Sequence, residues 1–449
     1  MSNHEKQEEI VQFIWPDDFL GFLLERLVFA QGYGADGEAS DPGLVDEARK
    51  VARAADAVLL FVGLPDSYES EGFDREHLRL PESHDRLVEE LARCNDRLVV
   101  VLCNGSPVEV PWLESVAALL EVHLGGQAGG SAIAELVFGE VNPSGRLAET
   151  FPLSLDDTPC RDWFPGGKHR VEYREGLNVG YRYYSSAGKP VRFPFGFGLS
   201  YTTFEYTDLR LSAARISANS VAGFPLLTAT VNVRNTGRMA GSEVLQIYVR
   251  DLKSAVYRPD RELKGFAKVH IPAGEARTVS IALDRRSFAF FDPGQSAWIV
   301  EEGEFEILVC ASAEDIRLKG TVMVTSTEKP VASYPAPQGR GPAYDEGAFA
   351  SLPGSPKPGD FPASLAITMD SPLRDLQGTE VGRQLSQGVK EGIVAMFGQA
   401  DGASDDTGRE KTMRMFQRMV DGLPVRSVAM FSGGKLSLVQ LEGMVQMMN

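Results

Sequence analysis

The chain has 449 residues, with 45 Lys+Arg against 62 Asp+Glu, a formal charge of -17 and 43% hydrophobic residues. That hydrophobic share supplies sizeable cores and excludes a disordered composition, and at about 150 residues per domain the length predicts about three domains. The acidic balance argues against nonspecific nucleic-acid binding and attraction to anionic membranes, and no apolar run reaches membrane-spanning length.

The start, MSNHEKQEEIVQFIW, lacks a basic region followed by an apolar run, so no signal peptide is visible. Cys94, Cys103, Cys160 and Cys310 are widely spaced and read as free, mostly buried thiols. Together these features predict a cytoplasmic protein. Phe22 to Phe29 reads as a helix end running into a short strand, and Gly32, Gly34 and Gly37 mark a loop. LVDEARKVARAA has helical periodicity, with Leu44, Ala48, Val51 and Ala55 on one stripe. AVLLFVG is a continuous apolar run, expected to be a strand covered on both faces as in a parallel sheet. A charged loop follows it, with Glu69, Glu71, Asp74, Arg75, Glu76 and His77 close together.

HDRLVEELARC then reads as a helix and RLVVVLCNG as a second strand ending in glycine. CNGSP reads as the start of a strand-to-helix loop, with Ser106 capping before Pro107. VPWLESVAALLEVHLGG and GGSAIAELVFG continue the alternation. Gly125, Gly126, Gly129 and Gly130 suit a tight turn and close backbone packing, and they lack the spacing of a dinucleotide or phosphate loop. In such α/β folds ligands gather at the carboxyl ends of the strands, where the charged loop sits.

Beyond residue 200, TATVNVRNTG, SEVLQIYVRD, KGFAKVHI and RTVSIAL alternate polar and apolar residues, as expected of an independent β-sandwich. The predicted organisation is an α/β sandwich-type domain over 1–200, a β-sandwich over 201–325, a Pro/Gly-rich linker over 326–366 and a helical extension over 367–449. In that extension Met413, Phe416, Met419 and Val420 recur at helical spacing as packing surface, and SGGKLSLVQLEGMVQMMN supplies a turn and a further helix.

The stretch YESEGFDREHLRLP resembles the loop of family 3 glycoside hydrolases, the β-glucosidase-like enzymes. Further collinear segments agree: VLCNGSPVEVPWL, HLGGQAGGSAIAELVFGEVNPSGRLAETFP, VEYREGLNVGYRYY and FPFGFGLSYTTFEY. VRNTGRMAGSEVLQIYVRD and RPDRELKGFAKV are similar to the fibronectin type III-like domain of that family, and the resemblance spans residues 25–325. It implies a preceding barrel domain that supplies an aspartate nucleophile, and no such barrel is expected in the few dozen residues before the α/β region. The chain therefore reads as the acid/base-bearing part of a β-glucosidase-like hydrolase of O-glycosidic bonds, incomplete without a barrel. The implied partners are a separately encoded barrel or a second copy of the chain, with carbohydrate as ligand. The alternatives are a noncatalytic carbohydrate-binding or structural assembly protein and a truncated product that folds without function.

The resemblance makes Glu71, before Gly72, the acid/base. Glycosidases need two carboxyl groups flanking the scissile bond, one of them able to protonate the leaving oxygen. Glu69 reads as a surface or orienting residue. Asp74 and Arg75 read as loop-shaping, Arg75 also being able to hold a carboxylate bidentately. Trp163, in CRDWFPGGKHRVEY, suits stacking on a sugar or covering an exposed edge. His123, at a strand end, reads as part of a domain surface or as a hydrogen-bonded core histidine. His77 and His84 have no matching acidic cluster, so no metal site and no cofactor are predicted.

Overall fold

A computed structural model describes residues 27–34, 40–70, 74–166, 171–219, 225–331, 343–352, 366–397, 419–432 and 434–449. It divides into two compact units: residues 1–105, 110–126 and 358–449, and residues 106–109 and 127–357.

The first unit begins with α1 (Pro42–Ala54). Asp41 accepts the Gly43 N–H at 2.8 Å and Pro42 occupies the first turn, so the start is capped at both the donor and the torsional level. Its buried stripe is Val45, Ala48 and Ala52. Leu44, Val51 and Ala55 are only half-buried flanks, so the apolar face is offset by one residue from the predicted one. Three parallel strands follow, β1 (Val58–Gly63), β2 (Leu98–Cys103) and β3 (Ala118–Glu121), in that spatial order, with Val58 opposite Leu98 and Val99 opposite Ala118. Between β1 and β2 runs α2 (Glu82–Ala92), which buries Leu87, Val88 and Leu91.

Side chains alternate across a strand. Leu60 and Val62 of β1 are buried, whereas Leu59 and Phe61 on the opposite face are 41% and 44% exposed. The expected cover on both faces is thus present on one. No strand occurs in 27–34, and Phe22 to Arg26 lie outside the described residues. The chain after Ser106 also differs from expectation. Pro107 and Pro111 hold it extended, and it reaches only a short 3-10 turn at Leu113–Ser115 instead of a helix.

The same unit contains the tail, which has its own core. A 3-10 turn at Leu373–Gly378, α3 (Glu380–Phe397), α4 (Ser427–Phe431) and α5 (Leu438–Met448) surround Leu376, Leu385, Val420, Val428, Leu441 and Val445. A reciprocal capping box between Ser437 and Gln440 starts α5. Asn449 accepts the Ile367 N–H at 2.7 Å and donates to the Ile367 carbonyl at 2.7 Å. Val420 is buried as its spacing predicts, while Met413 and Phe416 lie outside the described residues.

In the second unit, five strands order as β5-β13-β12-β7-β8 and three as β4-β6-β9, the two sheets of a β-sandwich. The strands are β4 (Phe204–Leu211), β5 (Arg215–Ser217), β6 (Leu227–Asn235), β7 (Gly241–Asp251), β8 (Glu262–Ile271), β9 (Ala276–Leu283), β10 (Phe290–Asp292), β11 (Ala297–Ile299), β12 (Gly303–Cys310) and β13 (Ile316–Thr325). β6 alternates cleanly, burying Leu227, Ala229, Val231 and Val233. β7 is buried on both faces. Leu245, Ile247 and Val249 enter the sandwich core, while Tyr248 packs outward with Leu308, Cys310 and Ala313 beneath Tyr181 and Phe195. Tyr181 stacks on Phe195 at 5.0 Å and accepts the Leu263 N–H at 2.8 Å, which fastens residues 181–195 to the outer sheet face. Among the described residues no helix is long and apolar enough to cross a membrane.

Candidate active site

The carboxyl ends of β1, β2 and β3 bring together the groups that carry chemistry in the first unit. Gly63 ends β1 against β2 so closely that an added Cβ would lie 1.9 Å from the Cys103 carbonyl oxygen, which is why glycine stands there. The Leu64 N–H extends the ladder to that oxygen at 3.0 Å. The charged loop starts next. The Pro65 carbonyl accepts the N–H groups of Tyr68 at 2.8 Å and Glu69 at 3.1 Å, making a tight turn. Glu69 then reaches across to β2, its Oε2 accepting the Gly105 N–H at 2.6 Å. On the far side of the loop the His77 ring lies 5.9 Å from that of Tyr68, closing its base. Asp74 is exposed and Arg75 half-buried on the returning arm. Glu71 lies outside the described residues.

At the end of β3, Glu121 accepts the His123 N–H at 2.8 Å through Oε1, and the His123 Nδ1 lies 3.4 Å from the same oxygen. Closing this turn places His123 at φ +50, a left-handed backbone conformation that histidine adopts more readily than most residues. Burial pushes the Glu121 carboxyl up from its ordinary range, and the nearby Glu69 charge adds to the rise, while His123 and Asn104 oppose it. Sequence reasoning singled out His123 and missed Glu121. The available signal was an acidic side chain closing an apolar strand in a parallel sheet. Gly126, at φ +65, supports the turn that follows, but an added Cβ there would meet nothing within 4 Å, so close packing does not explain it.

Beneath the loop, His84 of α2 is 4% exposed, and its Nδ1 accepts the Gly63 N–H at 3.4 Å. Its ring lies 4.0 Å from that of Tyr33, whose hydroxyl donates to the Phe61 carbonyl at 2.9 Å. Burial lowers the His84 pKa from 6.5 to about 4. The unfolded chain therefore binds the proton first, and stability falls as pH drops from 6.5 towards 4. Full protonation costs about 3 kcal/mol on this linkage. Urea unfolding at pH 7 and pH 4 is expected to show a loss larger by about that amount in the wild type than in His84→Asn, with no such gap above pH 7.

Trp163 belongs to the second unit, where the Arg174 guanidinium lies 5.6 Å from its ring centroid and pairs with Glu172 at 2.5 Å. The structure thus groups Glu69 and His123 at the strand ends, sets Asp74 and Arg75 on the adjoining loop, and gives Trp163 a cationic partner of its own. Among the described residues no three His, Cys, Asp or Glu side chains converge as a metal site.

The glycosyl hydrolase family 3 C-terminal domain model matches residues 24–201, and a fibronectin type III-like domain model matches residues 243–313. Thermostable beta-glucosidase B of Acetivibrio thermocellus is 45% identical over 381 residues, covering 82% of this chain and 50% of that protein. Exo-alpha-(1->6)-L-arabinopyranosidase of Bifidobacterium longum is 45% identical over 302 residues, covering 66% of this chain and 39% of that protein. A crystal structure of a beta-glucosidase from Bifidobacterium adolescentis aligns with a TM-score of 0.64 at 43% identity, covering 68% of this chain and 45% of that one. The Kluyveromyces marxianus beta-glucosidase in complex with glucose aligns with a TM-score of 0.59 at 39% identity, covering 64% and 34%. The chain spans half or less of the length of these relatives.

Proposed function

The chain carries the C-terminal domain of glycosyl hydrolase family 3 followed by a fibronectin type III-like domain, and from that premise we propose that it is the acid/base-bearing part of a β-glucosidase-like hydrolase of O-glycosidic bonds. One observation carries this reading: Glu69, two residues before Glu71 in YESEGFDR, is tied to the Gly105 N–H at 2.6 Å at the carboxyl end of a parallel sheet. Glu71 acts in it as the acid that protonates the leaving oxygen and then as the base that activates water. No nucleophile is assigned among the residues of this chain. The opposing carboxylate, at about 5 Å for a retaining reaction, is supplied by a barrel domain. An acid alone contributes little, because holding both groups about the bond supplies much of the rate.

The test is glycoside hydrolysis by the chain alone and by the chain assembled with a family 3 barrel. Relatives at equal identity carry glucosidase and arabinopyranosidase names, so the panel contains aryl β-glucosides and aryl α-L-arabinopyranosides. Hydrolysis that appears only in the assembly is the expected result. A stable assembly without hydrolysis overturns the catalytic reading in favour of a noncatalytic carbohydrate-binding or structural role. Hydrolysis by the chain alone overturns the assignment of the nucleophile to a barrel.

A further inference from the structure

We propose, resting on the acid/base reading of Glu71, that Glu69 is its positioning residue and acts through the Gly105 N–H. Glu69 lies two positions before Glu71, which at about 3.3 Å per extended residue keeps its backbone within about 7 Å of the acid's. Its Oε2 accepts the Gly105 N–H at 2.6 Å, a charge-assisted bond between a loop side chain and the end of a central strand. Glycine at 105 gives the carboxylate room: an added Cβ would stand 3.0 to 3.1 Å from all three atoms of the Glu69 carboxyl group, so the carboxylate would have to give by a few tenths of an ångström. Two further contacts hold the base of the same loop, the turn onto the Pro65 carbonyl and the approach of Tyr68 to His77. The loop is thereby held at its base and, at Glu69, tied to the end of a neighbouring strand. With its carboxylate already engaged by a backbone donor, Glu69 serves geometry, and the acid two residues on is left for proton transfer.

Glutamine keeps a carbonyl acceptor and loses the ionisable group, so Glu69→Gln and Glu69→Ala separate anchoring from acid chemistry. In the chain itself, amide hydrogen exchange over residues 64–80 is expected to quicken about 10-fold or more in Glu69→Ala and to stay within about 2-fold of wild type in Glu69→Gln. The midpoint of thermal unfolding should hardly move in either. In the enzyme assembled with its barrel, Glu69→Ala should lower kcat about 10- to 100-fold with little change in KM. The loss should be greatest for poor leaving groups, which need the proton most, and Glu69→Gln should restore most of it. Unchanged exchange in Glu69→Ala overturns the proposal, as does equal damage by Gln and Ala, which would mark Glu69 as the acid. A loss independent of the leaving group also overturns it. If exchange responds as expected while the wild-type assembly hydrolyses nothing, the catalytic reading fails, taking the positioning role with it, and only the Glu69–Gly105 anchor survives.

Discussion

Glu71→Gln is expected to lower kcat of the assembled enzyme about 100- to 10,000-fold on glycosides with poor leaving groups. The substitution preserves shape and removes the ionisable proton, so binding should change far less than turnover. The loss should shrink on dinitrophenyl glycosides, whose leaving group departs without a proton, because only the first chemical step is relieved. The second step still lacks its base, and a small anionic nucleophile such as azide should speed that step by attacking the glycosyl intermediate directly. Steady-state kinetics over a series of leaving groups, with and without azide, checks both halves. A uniform loss across the series, or full activity, would remove Glu71 from the role.

Glu243→Ala is expected to destabilise the β-sandwich by about 3–5 kcal/mol, since it leaves a buried guanidinium without its counter-charge. Glu243 is 4% exposed. Its Oε2 stands 2.7 Å from an Arg146 nitrogen and its Oε1 accepts the Tyr206 hydroxyl at 2.8 Å. Both carboxylate oxygens are therefore occupied, and the phenol is held well above its ordinary pKa by burial first and by the Glu243 charge second. The penalty belongs to the group left behind and not to the net worth of the pair. Replacing both partners, Glu243→Met with Arg146→Met, should recover more than half of the loss. Calorimetry of the sandwich transition, expected to move down by roughly 10 °C in the single variant, distinguishes the two cases.

What the sequence discloses about this molecule follows from how locally each feature is determined. β6 is legible because a strand with one buried face writes a period of two into its residues, and Leu227, Ala229, Val231 and Val233 are all buried as that pattern requires. β7 is less legible: its outer face is covered by Tyr181 and Phe195, more than 50 residues away in the chain, and no local pattern reports such cover. The helix expected after Ser106 is absent because Pro107 and Pro111 outweigh the alternation inferred from the neighbouring strands. The strand-end chemistry was half visible. YESEGFDR advertises itself by crowding charges after an apolar strand, whereas Glu121 hides in an apolar run, and its surroundings arise only when β3 is laid beside β2. The contact between Glu69 and Gly105 spans 36 positions and is made to a backbone N–H, which any residue but proline offers, so no motif spells it out.

The tail module ends where it begins. Asn449 grips both backbone groups of Ile367, so the entry and exit points of residues 367–449 sit side by side. A segment of that shape can be spliced into a surface loop of an unrelated host without prising the host's flanking residues apart.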